Sequence, residues 1–210
     1  MRPVPLVFPM QQALDHLKTT DPVLGALIDR IGPYAIELCE PDFETLTRAI
    51  VLQQLSGKVA DVIFARLRAA CGNGRLTPEG VLRRRTSTLR AVGLSQQKIS
   101  YIRELARLVC NGAVDLAGLR ELPDEEVYRV LTGIKGIGRW TAQMFLMFAL
   151  GRPDVLPSAD LGIQVAIQNV YGLPERPKPA DVDRIGLKWK PYCSVASWYL
   201  WRSLETKAGL

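Results

Sequence analysis

An all-α fold is the class this chain predicts, on three observations. Apolar residues recur at three- and four-residue spacing. Leu46, Ile50, Leu52, Leu55 and Val59 show it, as do Ile99, Ile102, Leu105, Ala106 and Val109, and this is the stripe of an amphipathic helix. Helix-start residues recur between such runs. No stretch sustains the apolar–polar alternation of strands bounded by hairpin turns. About ten helices are expected.

In chain order, Asp21-Pro22, Pro41-Asp42, Thr77-Pro78-Glu79, Ser95, Pro123-Asp124-Glu125-Glu126 and Ser194 read as helix starts. Asp, Ser and Thr accept hydrogen bonds from unpaired first-turn N–H groups, and Pro lacks an N–H that would go unpaired there. Gly93 and Gly112 read as helix ends. The proline-rich stretch Leu173–Pro179 reads as a loop and Ala180–Lys188 as a further short helix. There is no low-complexity segment and no repeat of fixed period.

Composition narrows the class. A chain of 210 residues, 48% hydrophobic and 23% charged, can bury a real core in one large or two small domains. No apolar run reaches the length of a membrane span. The opening MRPVPLVFPM is broken by three prolines and lacks the apolar core of a signal peptide, so a cytoplasmic location is expected. Cys39, Cys71, Cys110 and Cys193 are scattered, and His16 is the single histidine. That spacing argues against zinc and iron–sulfur sites and for reduced core cysteines. His16 sits in a helical pattern and reads as structural. The net charge of +6 fits a polyanionic partner without requiring one. The densest basic run, Arg83-Arg84-Arg85, reads by default as a solvated helix end.

Residues 131–163 carry the chemistry. Leu131-Thr132-Gly133-Ile134-Lys135-Gly136-Ile137-Gly138 places three glycines in a turn between two apolar helical stretches. Glycine permits positive φ and close backbone approach, so a Gly-x-Gly turn opening a helix presents bare N–H groups to an anion. Asp160 follows, past the next helix and the loop marked by Pro153 and Pro157. A phosphate-gripping turn with a lone carboxylate behind it points to an enzyme that holds DNA and reacts beside it.

Asp124–Ala149 resembles the helix–hairpin–helix element of the DNA glycosylase superfamily, and Leu156–Ile163 resembles the Gly/Pro-rich loop and aspartate paired with it. The segments Val51-Leu52-Gln53-Gln54-Leu55-Ser56, Gly136-Ile137-Gly138-Arg139-Trp140-Thr141-Ala142 and Trp189-Lys190-Pro191-Tyr192 are similar to those of its 3-methyladenine DNA glycosylase II (alkylation-repair) branch. The resemblance covers roughly residues 42 to 205. It implies an enzyme that flips a damaged nucleotide out of duplex DNA, since a stacked base cannot be reached, and hydrolyses its N-glycosidic bond. Asp160 would stabilise positive charge developing on the sugar and orient or deprotonate water; its bland alternative is an N-cap at Leu161, and both can hold. Asp154 is the rival carboxylate, better suited to a surface turn. Strand-cleaving relatives carry a lysine where this chain has Trp140, so without an amine nucleophile a monofunctional glycosylase is implied.

The same resemblance assigns further residues. Trp140 and Trp201 would line the base pocket, where a π face attracts a cationic methylated base, with Met144 beside them. Trp189 and Trp198 are core by default. Cys193 stands where relatives often carry arginine, which removes a charge contact at that point. Gln54 and Leu55 would form a wedge filling the gap left by the flipped nucleotide; Leu55 as a core residue is the alternative. Gly136 and Gly138, with Lys135, Arg139 and Thr141, would bind backbone phosphate. Main-chain carbonyls of Thr132, Ile134 and Ile137 would hold a monovalent cation, sodium or potassium; no other cofactor is expected.

The implied architecture is a helical barrel over residues 42–150, with the helix–hairpin–helix at about 124–149. Residues 1–41 plus 151–210 would form a second lobe, with the active site in the cleft and no N-terminal β domain. The expected partner is double-stranded DNA containing damaged bases; no membrane or protein partner is expected, and a monomer is the default. Two alternatives stay open: a non-catalytic helix–hairpin–helix DNA-binding protein, and a glycosylase for deaminated or oxidised bases.

Overall fold

Local capping sets most element boundaries. In the computed structural model, which describes residues 8–72 and 74–205, α1 (Met10–Thr20) runs to Asp21, whose side chain accepts from Leu24 N–H and opens α2 (Pro22–Ile31). Asp42 caps α3 (Phe43–Leu52) through Thr45 N–H, and α4 (Gly57–Cys71) follows a short turn. Thr77 caps α5 (Pro78–Leu82); α6 (Thr86–Ala91) comes next, and Ser95 caps α7 (Gln96–Cys110). A 3₁₀ turn at Gly118–Glu121 leads to α8 (Asp124–Thr132) and α9 (Arg139–Phe148). Asp160 caps α10 (Leu161–Tyr171), followed by α11 (Pro179–Gly186), a 3₁₀ turn at Leu187–Trp189 and α12 (Cys193–Glu205). Among the described residues there is no strand, as the all-α reading expects. The reading of the opening segment falls mostly on residues 1–7, outside the described residues.

Among the described residues there are twelve α-helices, close to the ten or so expected. The additional ones include α6, which is too short to display a repeating stripe and buries a single apolar anchor, Leu89. The expected continuous stripe from Leu46 to Val59 is corrected. Helix α3 ends at Leu52, Gln54 takes the left-handed φ of 59°, and both Leu55 and Val59 are exposed. The start read at Ser194 falls one residue inside α12, which opens at Cys193. The Ser194 hydroxyl donates to Arg152 O at 2.7 Å and accepts from Val155 N–H at 3.0 Å. No disulfide links the four cysteines; Cys71 and Cys193 are buried, Cys110 is exposed and Cys39 half-buried. Gly93 and Gly112 follow α6 and α7 at positive φ.

The chain divides into two compact units, Cys39–Phe145 and Met1–Leu38 with Leu146–Leu210. In the first, α3 packs on α4 and α7, and α5 packs on α7. Its interior holds Leu46, Ile50, Leu67, Ile99, Ile102, Leu105, Val127 and Leu131. In the second, α1 lies on α2, and α10 packs on α12 around Leu17, Leu24, Ile167, Trp189, Tyr199 and Leu200. Trp189 and Trp198 are buried there, and His16 meets the Tyr192 ring edge-on at 5.5 Å.

Asp21 anchors this second unit. It is fully buried, and its carboxylate accepts from Trp189 Nε1 at 2.7 Å, from Leu24 N at 3.2 Å and from the Tyr171 hydroxyl, with Lys188 Nζ at 3.0 Å. Burial pushes its pKa up, but the hydrogen bonds from Tyr171, Trp189, Leu24 and Lys188 outweigh that and hold it below the ordinary carboxylate value.

Candidate active site

The glycine turn and its neighbours form one concavity. Helix α8 ends at Thr132, and the turn closes through Ile134 N–H to Leu131 O and Ile137 N–H to Ile134 O, at 3.1 and 3.0 Å. Gly136 has φ 90°, and a Cβ there would overlap the Tyr101 ring, so glycine is required both by conformation and by contact. Gly138 is different: a Cβ there would meet nothing within 4 Å. Among the described residues the amides of Gly136 and Gly138 donate to no backbone acceptor. Next to α9, they are the donors an anion would use.

An open cavity of about 500 Å³ lies against this turn, and it is also lined by Gln53, Gln54, Lys98 and Tyr101. The structure therefore brings together hairpin residues Lys135, Gly136 and Gly138 and Gln54, one of the two residues expected to form a wedge. Leu55 is 36% exposed at the same α3–α4 turn, which excludes the reading of it as a core residue. Arg139 and Lys135 are exposed, and the Arg139 guanidinium sits over the Tyr128 ring, 4.7 Å from its centroid. Thr141 is buried, 3.5 Å from Gln53 Nε2. Its place is the inner face of α9 rather than an open phosphate contact, which corrects the expectation for that side chain. Trp140 is 39% exposed at the start of α9, and Met144, one turn on, is half-buried.

Asp160 has a second set of partners. Its Oδ1 accepts from Ile163 N–H at 2.9 Å, which is the cap of α10, and from Trp201 Nε1 at 3.0 Å. Trp201 stacks on Phe148 with ring centroids 5.9 Å apart. Gly162 leaves room for the pair: a Cβ there would stand 3.0 Å from Asp160 Oδ1 and 3.1 Å from Trp201 Cδ1. The carboxylate is half-buried at the head of a helix, so the capping reading holds for it. Its rival Asp154 is engaged elsewhere, accepting from Cys193 N–H at 3.4 Å and facing Lys190 at 4.0 Å. Cys193 itself is buried, and desolvation raises its thiol pKa.

Sequence reasoning missed Gln53, Lys98, Tyr101 and Phe148. Gln53 lies in a segment already singled out, but its partner Gly136 is 83 positions away. Lys98 and Tyr101 carry no local signal, because their roles exist only opposite other elements.

Two helices joined by an anion-ready glycine turn, then a helix headed by a held carboxylate, define a helix–hairpin–helix protein of the DNA repair type. The chain belongs to the HhH-GPD superfamily of base excision DNA repair proteins, whose model matches residues 47–191. It is 35% identical over 204 residues to DNA-3-methyladenine glycosylase 1 of Schizosaccharomyces pombe, covering 94% of this chain and 89% of the relative. The solved structure of a 3-methyladenine DNA glycosylase from that organism, in complex with abasic DNA, superposes with a TM-score of 0.85 at 34% identity, over 92% of this chain and 97% of the other. A DNA-3-methyladenine glycosidase from Bacillus halodurans gives a TM-score of 0.84 at 36% identity, over 99% of this chain and 94% of that one.

Proposed function

We propose that the chain is a monofunctional DNA glycosylase that extrudes alkylated bases of the 3-methyladenine type from duplex DNA and hydrolyses the N-glycosidic bond, leaving an intact abasic strand. The observation that carries this reading is the Asp160 carboxylate, fixed at the head of α10 by two donors on Oδ1. A carboxylate held in one orientation stabilises the oxocarbenium character of the breaking sugar bond without reorganising during reaction. The likeness to 3-methyladenine glycosylases supports the substrate class.

Trp140 takes the place of the lyase lysine, which leaves no amine there to form a Schiff base. Its exposed indole and that of Trp201 are proposed to face the flipped base, with Met144 completing the wall; a cationic adduct gains about 0.5–2 kcal/mol over such a ring. Gly136, Gly138, Lys135 and Arg139 are proposed to hold backbone phosphate, and Gln54 with Leu55 to fill the vacated stack. The carbonyls of Thr132, Ile134 and Ile137 suit a monovalent cation. They are neutral oxygen donors, and Ile134 O, which accepts from Ile137 N–H, keeps a second lone pair. Damaged duplex DNA is the partner, and the cytoplasm is the proposed place of action; among the described residues no helix is long and apolar enough to cross a membrane.

The test is a panel of single-lesion duplexes scored for base release before and after alkali, with wild type and Asp160→Asn in parallel. The expected result is release of alkylated bases, breaks only after alkali, and loss of release with retained DNA binding in the variant. Binding without release by wild type on every lesion would instead mark a DNA-binding module.

A further inference from the structure

Gln53 follows the last residue of α3 and leaves the helix with φ −50° and ψ 127°. Its side-chain Nε2 donates to Gly136 O at 2.8 Å. Its own carbonyl and that of Val51 each accept from Lys98 Nζ at 2.7 Å. These are C-terminal carbonyls of α3, which have no partner within the helix, and a cation suits that end of the helix dipole. Lys98 is partly buried in doing this, and desolvation lowers its pKa. One residue later Gln54 takes a positive φ of 59° and is exposed. A non-glycine residue holds that conformation, at about 1–3 kcal/mol, only where its surroundings over-determine it.

We infer that Gln53 and Lys98 are positioning residues that clamp the Gln54-Leu55 turn to the Gly136–Gly138 hairpin, so that the wedge and the phosphate grip meet DNA as one preset unit. The inference rests on the wedge and phosphate roles proposed above. Two anchors act on the turn. Lys98 fixes its backbone from the α7 side, and the Gln53 amide fixes it to the middle residue of the glycine turn. Gly136 is itself pinned against Tyr101, which is also on α7, so α7 supports both parts. A duplex whose phosphate sits on the Gly136 and Gly138 amides then presents its groove to Gln54 and Leu55 at a set spacing. Flipping needs the plug to arrive as the nucleotide leaves, and a loose turn would bind DNA without stabilising the extruded state. The chemistry of position 53 is specific. A backbone carbonyl needs a donor, so Glu would set acceptor against acceptor and Leu would leave the carbonyl without this partner.

The experiment compares wild type, Gln53→Leu, Gln53→Glu and Lys98→Met on three readouts. They are affinity for an undamaged duplex, fluorescence of 2-aminopurine placed beside an alkylated base as a report of flipping, and single-turnover base release. Thermal melts accompany each variant. The expected result is undamaged-duplex affinity within about twofold of wild type, with flipping signal and excision reduced roughly tenfold, the scale of a lost hydrogen bond to a charged or strained group, and Gln53→Glu at least as impaired as Gln53→Leu. Flipping and excision within about twofold of wild type in Gln53→Leu and Lys98→Met would overturn the clamp. So would a loss of duplex affinity and melting temperature in step with excision, which marks ordinary fold damage. If wild type releases no base from any lesion, the proposed activity fails, and the fluorescence series alone still decides the clamp.

Discussion

The indole N–H of Trp201 donates to Asp160 Oδ1 at 3.0 Å, the same oxygen that accepts from Ile163 N–H. One side chain thus offers its face to Phe148 and its edge to the carboxylate. Trp201→Phe keeps a ring for stacking and deletes the donor. Single-turnover excision is expected to fall about tenfold, the scale of a charge-assisted hydrogen bond, with duplex affinity almost unchanged. Equal rates for the two proteins would refute a positioning role for this contact.

Gly162→Ala separates activity from stability. Alanine is favoured over glycine in a helix by about 0.5–1 kcal/mol, but its Cβ would crowd both Asp160 Oδ1 and Trp201. Excision is expected to drop several-fold while the melting temperature holds or rises. A parallel fall in both would show that the crowding is absorbed by the fold instead.

Asp21 predicts an acid limb in stability. Its native pKa is lowered, so at acid pH the unfolded chain binds more protons. The stabilisation is complete above the unfolded value of about pH 4 and is lost as pH falls through the native value. Asp21→Asn, which strands Lys188 and weakens the Tyr171 and Trp189 bonds, is expected to destabilise the protein by about 3 kcal/mol at neutral pH. In urea melts, the gap between wild type and Asp21→Asn should narrow below about pH 4; a gap constant with pH would contradict this account.

Trp140→Ala tests the base pocket. Removing a half-desolvated π face should weaken binding of a cationic adduct by about 0.5–2 kcal/mol. A neutral lesion should be affected less. Excision kinetics on 7-methylguanine and hypoxanthine duplexes would compare the two, and identical losses would assign Trp140 a role unrelated to charge.

Features set by neighbours in sequence were legible. Asp21, Asp42, Thr77, Ser95 and Asp160 all cap the helices they precede, because an N-cap needs only a side chain and the next three residues. The glycine turn was legible for the same reason. Ser194 marks the start of α12 to within one residue but does not cap it, because its hydroxyl serves the chain around Arg152 and Val155, 42 and 39 residues earlier. The stripe through Leu55 and Val59 misled because spacing cannot register a positive φ at Gln54. The Asp21 cluster joins residues 150 and 168 positions apart, and no local pattern announces it. In the candidate site, the residues proposed to touch DNA stand out in the sequence, whereas the side chains that hold them do not.

The Asp21 cluster also bears on how the chain matures on the ribosome. The unit from Cys39 to Phe145 is one continuous stretch, so it can close as it emerges. Helices α1 and α2 are made before it, yet their buried aspartate must wait for Tyr171, Lys188 and Trp189, which are made after it. An aspartate made before that continuous unit is therefore completed only after it, and until then a future core carboxylate stays in water.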